Sequence, residues 1–173
     1  LMPETQNADA IVQAWYPGEQ GGTAVADVLF GDYNPTGKLP ITFYRSTADL
    51  PDFLDYRMTN RTYRYFTGQP LYPFGYGLSY TTFSIDNPVV KRDELKVRVS
   101  NTGRRDGTEV VQLYIRRVAD VNGPLRSLRG YQRVSLKAGE SKVVTFSLRD
   151  KSLLTTWDAG SNTMRYVPGK YEL

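Results

Sequence analysis

The chain has neither cysteine nor histidine in its 173 residues. Their absence rules out thiolate nucleophiles, Ser-His-Asp triads, disulfides and zinc sites built on imidazole or thiolate. Chemistry is left to carboxylates, Lys, Tyr, Ser and Thr. Among the carboxylates, Glu19 lies in Gly18-Glu19-Gln20-Gly21-Gly22, just ahead of a helical pattern. There it could act as an acid, or rest as a solvated group favoured by the helix dipole. A second group of residues, Tyr56, Arg57, Arg61, Tyr63, Arg64 and Tyr65, offers aromatic faces and planar donors that suit polyols. Arg61, Tyr63 and Tyr65 are the candidate binding residues. The competing reading, which we prefer, is packing between units, with Arg–carboxylate pairs and buried Tyr. Asp106 and Asp120 sit in turn-rich stretches with nothing near them like a dedicated calcium loop, so turn formation is expected and no metal site. Asn60-Arg61-Thr62 fits a glycosylation sequon, a pattern common by chance.

The net charge of +4 is mild, and the basic residues are scattered among acidic ones. A nucleic-acid binder more often carries a clustered basic face, so none is expected. No apolar run approaches the roughly 18–20 residues of a membrane helix. The Leu1-Met2-Pro3-Glu4 start and the strand-like end at Tyr171-Glu172-Leu173 suggest a piece of a longer protein.

The elements that must position these residues fall into three stretches. Over 1–48 the pattern is α/β. Ala10–Tyr16 suits a buried strand and Thr23–Phe30 has helical spacing with Gly31 as a C-cap, while Leu39–Tyr44 suits a second strand. One strand–helix–strand unit cannot cover both faces of a sheet. Residues 49–80 form a long connection, too rich in Tyr and Arg for a flexible linker. It ends in Pro70-Leu71-Tyr72-Pro73-Phe74-Gly75-Tyr76-Gly77-Leu78-Ser79-Tyr80, which can be neither a regular helix nor a central strand and reads as a rigid, packed crossover. Over 81–173 the alternation at Leu95–Ser100 and Lys142–Leu148, the β-formers at Val110–Ile115, and turn signals such as Asn101-Thr102-Gly103, Asp106-Gly107, Asn122-Gly123-Pro124 and Ala138-Gly139 predict a β-sandwich of immunoglobulin or fibronectin III kind. The expected fold class is mainly β, a sandwich preceded by a short α/β fragment.

Four blocks carry a resemblance. They are Ala14–Gly22, Ala26–Pro40, Arg61–Phe66 running into the aromatic segment, and Asn101–Gly103 continuing through Gly107–Tyr114. In order and spacing they resemble the C-terminal part of family-3 glycoside hydrolases, which include bacterial β-xylosidases and β-glucosidases. Arg61–Phe66 and the Pro3–Asp9 start look most like the β-xylosidase branch. The resemblance implies that 1–48 is the tail of an α/β-sandwich domain, 49–80 the connection, and 81–173 a fibronectin III-like domain. It also implies a parent that releases terminal β-linked sugars by double displacement, is periplasmic or secreted in a bacterium, and uses no cofactor. The missing barrel and sandwich domains are the implied partners, and a β-linked oligosaccharide the implied substrate.

Such a displacement needs two carboxyl groups about 5–5.5 Å apart. No segment here resembles the family's nucleophile motif, and the acid/base of most three-domain members would lie upstream of residue 1. In a branch lacking the last domain the acid sits in the loop matching Gly18–Gly21. The matching residue here is Gln20, which cannot titrate, with Glu19 displaced by one. The chain alone is therefore expected to be inactive, and residues 1–48 to cover one side of the sandwich or pair with another chain. The alternative is a noncatalytic module that binds carbohydrate or protein, which the fold permits.

Overall fold

The structure, a computed structural model, describes residues 7–173. The Leu1–Glu4 start and the Pro3–Gln6 part of the xylosidase-like start lie outside them.

The β-rich half forms a two-layer sandwich. One sheet has the order β1 (Phe83–Lys91), β2 (Glu94–Asn101), β5 (Ser141–Ser147). The other has the order β4 (Ser127–Leu136), β3 (Gly107–Arg117), β8 (Tyr171–Glu172). All pairings are antiparallel, with Leu95 opposite Phe146 and Val111 opposite Gln132 fixing two of the registers. A short hairpin, β6 (Thr155–Asp158) and β7 (Thr163–Tyr166), stands beside them. The core lies between the sheets: Leu95, Val97 and Val99 of β2 and Val144 and Phe146 of β5 face Val111, Leu113 and Ile115 of β3 and Val134 and Leu136 of β4. Alternate residues of β2 and β3 point inward because a strand sends successive side chains to opposite faces.

Ahead of the sandwich, α1 (Gly21–Phe30) forms over the segment with helical spacing. It ends at Gly31, which is left-handed at φ 83° and donates its N–H to the Val28 carbonyl at 3.2 Å. The strands expected on either side do not form, and this corrects that part of the sequence reading. Residues 10–16 meet no neighbouring strand among the described residues. The 39–44 segment runs beside 71–76 instead. Leu39 N–H donates to the Tyr76 carbonyl at 2.8 Å and Phe43 N–H to the Tyr72 carbonyl at 2.9 Å. Pro40, Pro70 and Pro73 have no N–H to give, so the ladder stops at a single Phe43–Tyr72 bridge.

The 49–80 stretch is irregular apart from one turn of helix, α2 (Thr62–Tyr65), which carries Tyr63, Arg64 and Tyr65 toward the sandwich. Up to residue 65, Gly21 is the single fully buried residue among those described. Burial is concentrated after it, in the two sheets.

Candidate functional site

Glu19 lies one residue before the N-cap position of α1, Gln20, and is exposed. It makes no ion pair or side-chain hydrogen bond among the described residues. Gln20 does not cap the helix through its side chain either. In a retaining glycosidase the general acid works with a second carboxyl group and in a shielded setting, whereas Glu19 stands in solvent.

The Tyr and Arg residues are placed by the single turn of α2 and the loop before it. Arg61 is spent on backbone: its Nε donates to the Arg57 carbonyl at 3.0 Å, and its Nη2 reaches the carbonyls of Asp52 at 3.3 Å and of Asp55. Arg57 forms a two-pronged pair with Asp55, Nε at 2.9 Å and Nη2 at 2.7 Å. That pair holds the Asp55 carboxyl well below the usual carboxylate range. Tyr63 stacks on Phe74 at 4.1 Å, meets Tyr114 edge-on at 5.9 Å, and accepts the Leu128 N–H at its hydroxyl at 3.0 Å. Tyr65 is half-buried, with the Arg64 guanidinium 5.7 Å from its ring centre. In the sequon, Asn60 turns its Oδ1 to the Thr67 N–H at 3.3 Å. Asp106 accepts from the Ala138 N–H at 2.9 Å and shapes a turn.

The Pro70–Tyr80 run is the seam between the helical segment and the sandwich. Gln112 on β3 donates to the Gly75 carbonyl at 3.0 Å, and Lys38 donates to the Gly77 carbonyl at 2.9 Å while pairing with Glu109 at 2.9 Å. Both members of that ion pair are mostly covered, at 17% and 13% exposure. Tyr80 donates its hydroxyl to the Val28 carbonyl at 2.6 Å. Asn34 binds three groups: its Nδ2 donates to the Asp106 carbonyl at 2.9 Å, and its Oδ1 accepts from Ser79 Oγ and Tyr80 N–H, each at 2.8 Å. Arg105 spans the seam from the other side, donating to the Gly31 carbonyl at 3.1 Å. Residues 28–38 are thus stapled to the sandwich by polar bonds, while Leu29 and Phe30 of α1 stay exposed.

Two hollows adjoin α2. One, of about 290 Å³, is walled by Thr42, Tyr63, Phe66, Pro70, Pro73 and Arg126. The other, of about 530 Å³, is a cleft between Tyr63–Tyr65, the end of β3, the β3–β4 connection and the β6–β7 hairpin.

Comparison with known proteins matches two parts of the chain. Residues 1–80 match the Glycosyl hydrolase family 3 C-terminal domain and residues 109–173 the Fibronectin type III-like domain. The chain belongs to glycoside hydrolase family 3, to its C-terminal part. It is 55% identical, over its whole length, to 21% of a xylan 1,4-beta-xylosidase of Xylanibacter ruminicola. It is 43% identical, again over its whole length, to 25% of a periplasmic beta-glucosidase of Salmonella typhimurium. Among solved structures, a beta-glucosidase from Kluyveromyces marxianus superposes with a TM-score of 0.85 at 36% identity, covering 98% of this chain and 22% of that one. A β-glucosidase from Erythrobacter marinus gives 0.80 at 40% identity, over 98% of this chain and 24% of that one. The chain thus spans about a quarter or less of the length of these relatives.

Of the residues singled out in the sequence, Tyr63 and Tyr65 line the larger cleft, and Arg61 and Glu19 do not. Sequence reasoning passed over Asn34, Lys38, Glu109 and Gln112, whose roles depend on partners far away in the chain. One signal was available: Asn34 and Lys38 fall inside the Ala26–Pro40 block, and Glu109 and Gln112 inside Gly107–Tyr114, both of which carry the resemblance.

Proposed function

We propose that this chain is the C-terminal portion of a retaining, exo-acting β-glycosidase that removes terminal β-linked sugars from oligosaccharides, with β-xylosides as its substrates. The observation that carries this is the 55% identity, over the chain's full length, to a xylan 1,4-beta-xylosidase. Within that protein we assign 1–48 to the tail of the α/β-sandwich domain, 49–80 to the connection, and 81–173 to the fibronectin III-like domain. The chain itself works as a scaffold and hydrolyses nothing. In support, Glu19 is exposed and alone, and the Arg61 and Tyr63 side chains are committed to backbone carbonyls and ring stacking. Its partners are the parent's remaining domains, and the parent acts in the periplasm or outside the cell, as the name of the Salmonella relative suggests. No helix among the described residues is long and apolar enough to cross a membrane.

The test is to assay the parent and this chain side by side on chromogenic β-xyloside and β-glucoside. The parent should cleave the xyloside faster, and the chain should cleave neither. Hydrolysis by the pure chain that disappears in Glu19→Gln would overturn the scaffold assignment, and a parent preferring the glucoside would overturn the specificity. A second reading, a carbohydrate-binding module, is favoured by one observation: the 530 Å³ cleft lined by both arginines and aromatic rings.

A further inference from the structure

Arg64, Arg116, Arg117 and Arg129 all line that cleft, and among the described residues Asp120 is the one carboxylate lining it with them. Arg116 leans toward Glu172 at 3.7 Å. Arg64, Arg117 and Arg129 have no ion pair among the described residues, and each keeps a buried Nε without an acceptor. Arg129 spends one Nη2 hydrogen on the Thr155 carbonyl at 2.7 Å. Burial, and after it the neighbouring Arg64 charge, lower the Arg129 pKa from its ordinary value. Arginines gathered in a half-buried place in excess of the carboxylates beside them are costly, and an anion offsets that cost. A planar guanidinium matches a carboxylate with two parallel hydrogen bonds.

The rest of the wall is not that of a bare anion site. Trp157, at 59% exposure, and Tyr65 offer ring surface, and Asn122 and Thr156 offer small polar side chains. The volume falls in the range of small-molecule sites. We infer that the cleft binds a saccharide bearing a carboxylate, a hexuronic acid residue, with the guanidiniums on its carboxylate and the Trp157 and Tyr65 rings against the sugar. This goes beyond the proposed hydrolysis and requires no catalytic carboxylate, so either can fail without the other.

The test is titration calorimetry of the 173-residue chain with sodium glucuronate, glucose, sodium acetate and sodium phosphate. Glucuronate should saturate one site, with glucose and acetate each weaker by about tenfold or more, the contribution of one hydrogen bond to a charged group. Arg129→Gln and, separately, Arg64→Gln should each lose about tenfold in glucuronate affinity by the same reasoning. A melting curve checks that each variant is folded, and if one unfolds, the other and the wild-type ligand series still decide. Phosphate or acetate binding as tightly as glucuronate would reduce the cleft to an anion site and overturn the inference. So would glucose binding equally well. Absence of heat from every ligand would assign the arginines to carboxylates elsewhere in the parent polypeptide, and would also overturn it.

Discussion

Gly75 is fixed by its neighbours as well as by its backbone. Its φ is 81°, and a Cβ there would come within 2.3 Å of Gln112 Oε1 and 2.7 Å of the Tyr114 hydroxyl oxygen. Gly75→Ala should cost roughly 2–4 kcal/mol in a urea melt, combining left-handed strain with overpacking. Gly139→Ala is the internal control: its φ is 76° but a Cβ there would meet nothing within 4 Å among the described residues, so only the backbone strain of about 1–2 kcal/mol should appear. Equal losses at the two sites would mean that the seam yields. Asn101 makes a different demand. It is 2% exposed, donates to the Arg105 carbonyl at 2.7 Å, and accepts from Thr81 Oγ1 at 2.7 Å and the Gly103 N–H at 3.1 Å. Asn101→Ala strands several buried polar groups and should cost roughly 2–4 kcal/mol by the same melt. In the sequence Asn101-Thr102-Gly103 was legible as a turn. The burial of Asn101 was not, because it comes from Thr81 and Leu136, which a local pattern cannot bring near.

At the scale of elements, the Asp52–Arg61 loop is closed by charge. The depressed Asp55 carboxyl means that its pairing with Arg57 contributes fully above the ordinary Asp value of about 3.9 and is lost as pH falls through the lower folded value. Near pH 4, pepsin should cut Asp55→Asn faster than wild type around the exposed Phe53, Leu54 and Tyr56. The difference should shrink toward pH 2. Equal cutting at pH 4 would show that the Arg57 pair does not hold the loop. Which elements were legible follows from burial. β2, β3 and β5 alternate apolar and polar residues because one face is in the core. β1 was not legible: seven of its nine residues are exposed, and its register shifts at Asn87-Pro88. In β4, Gly130 and a run of polar residues hide a strand whose buried members are Ser127, Val134 and Leu136. The segments 10–16 and 39–44 are apolar as strands are, but pairing cannot be read from composition, and the prolines opposite 39–44 stop a ladder.

Over the whole molecule, stability is uneven. The sheets enclose a continuous apolar core, whereas Ile11, Val12, Tyr16, Leu29, Phe30, Phe53 and Leu54 all stand in solvent. Hydrogen exchange should therefore be fastest over 7–30, intermediate over 31–44 where Asn34 and Lys38 hold the chain, and slowest in β2, β3 and β5. In the proposed parent, the 7–30 amides should become protected, because the remaining domains would cover that apolar surface. Equal exchange in the chain and the parent would oppose the assignment of 1–48 to a larger domain.

The chain has two tryptophans, and they fall one on each side of the seam. Trp15 lies against Phe43 at 6.4 Å between ring centres, and Trp157 sits on the β6–β7 hairpin. Both are about half exposed, at 48% and 59%, so each ring straddles protein and solvent. Replacing either by Phe leaves a chain whose intrinsic emission reports one half alone. The order in which the two halves come apart then becomes a matter of colour, read as two separate red shifts along one denaturant series.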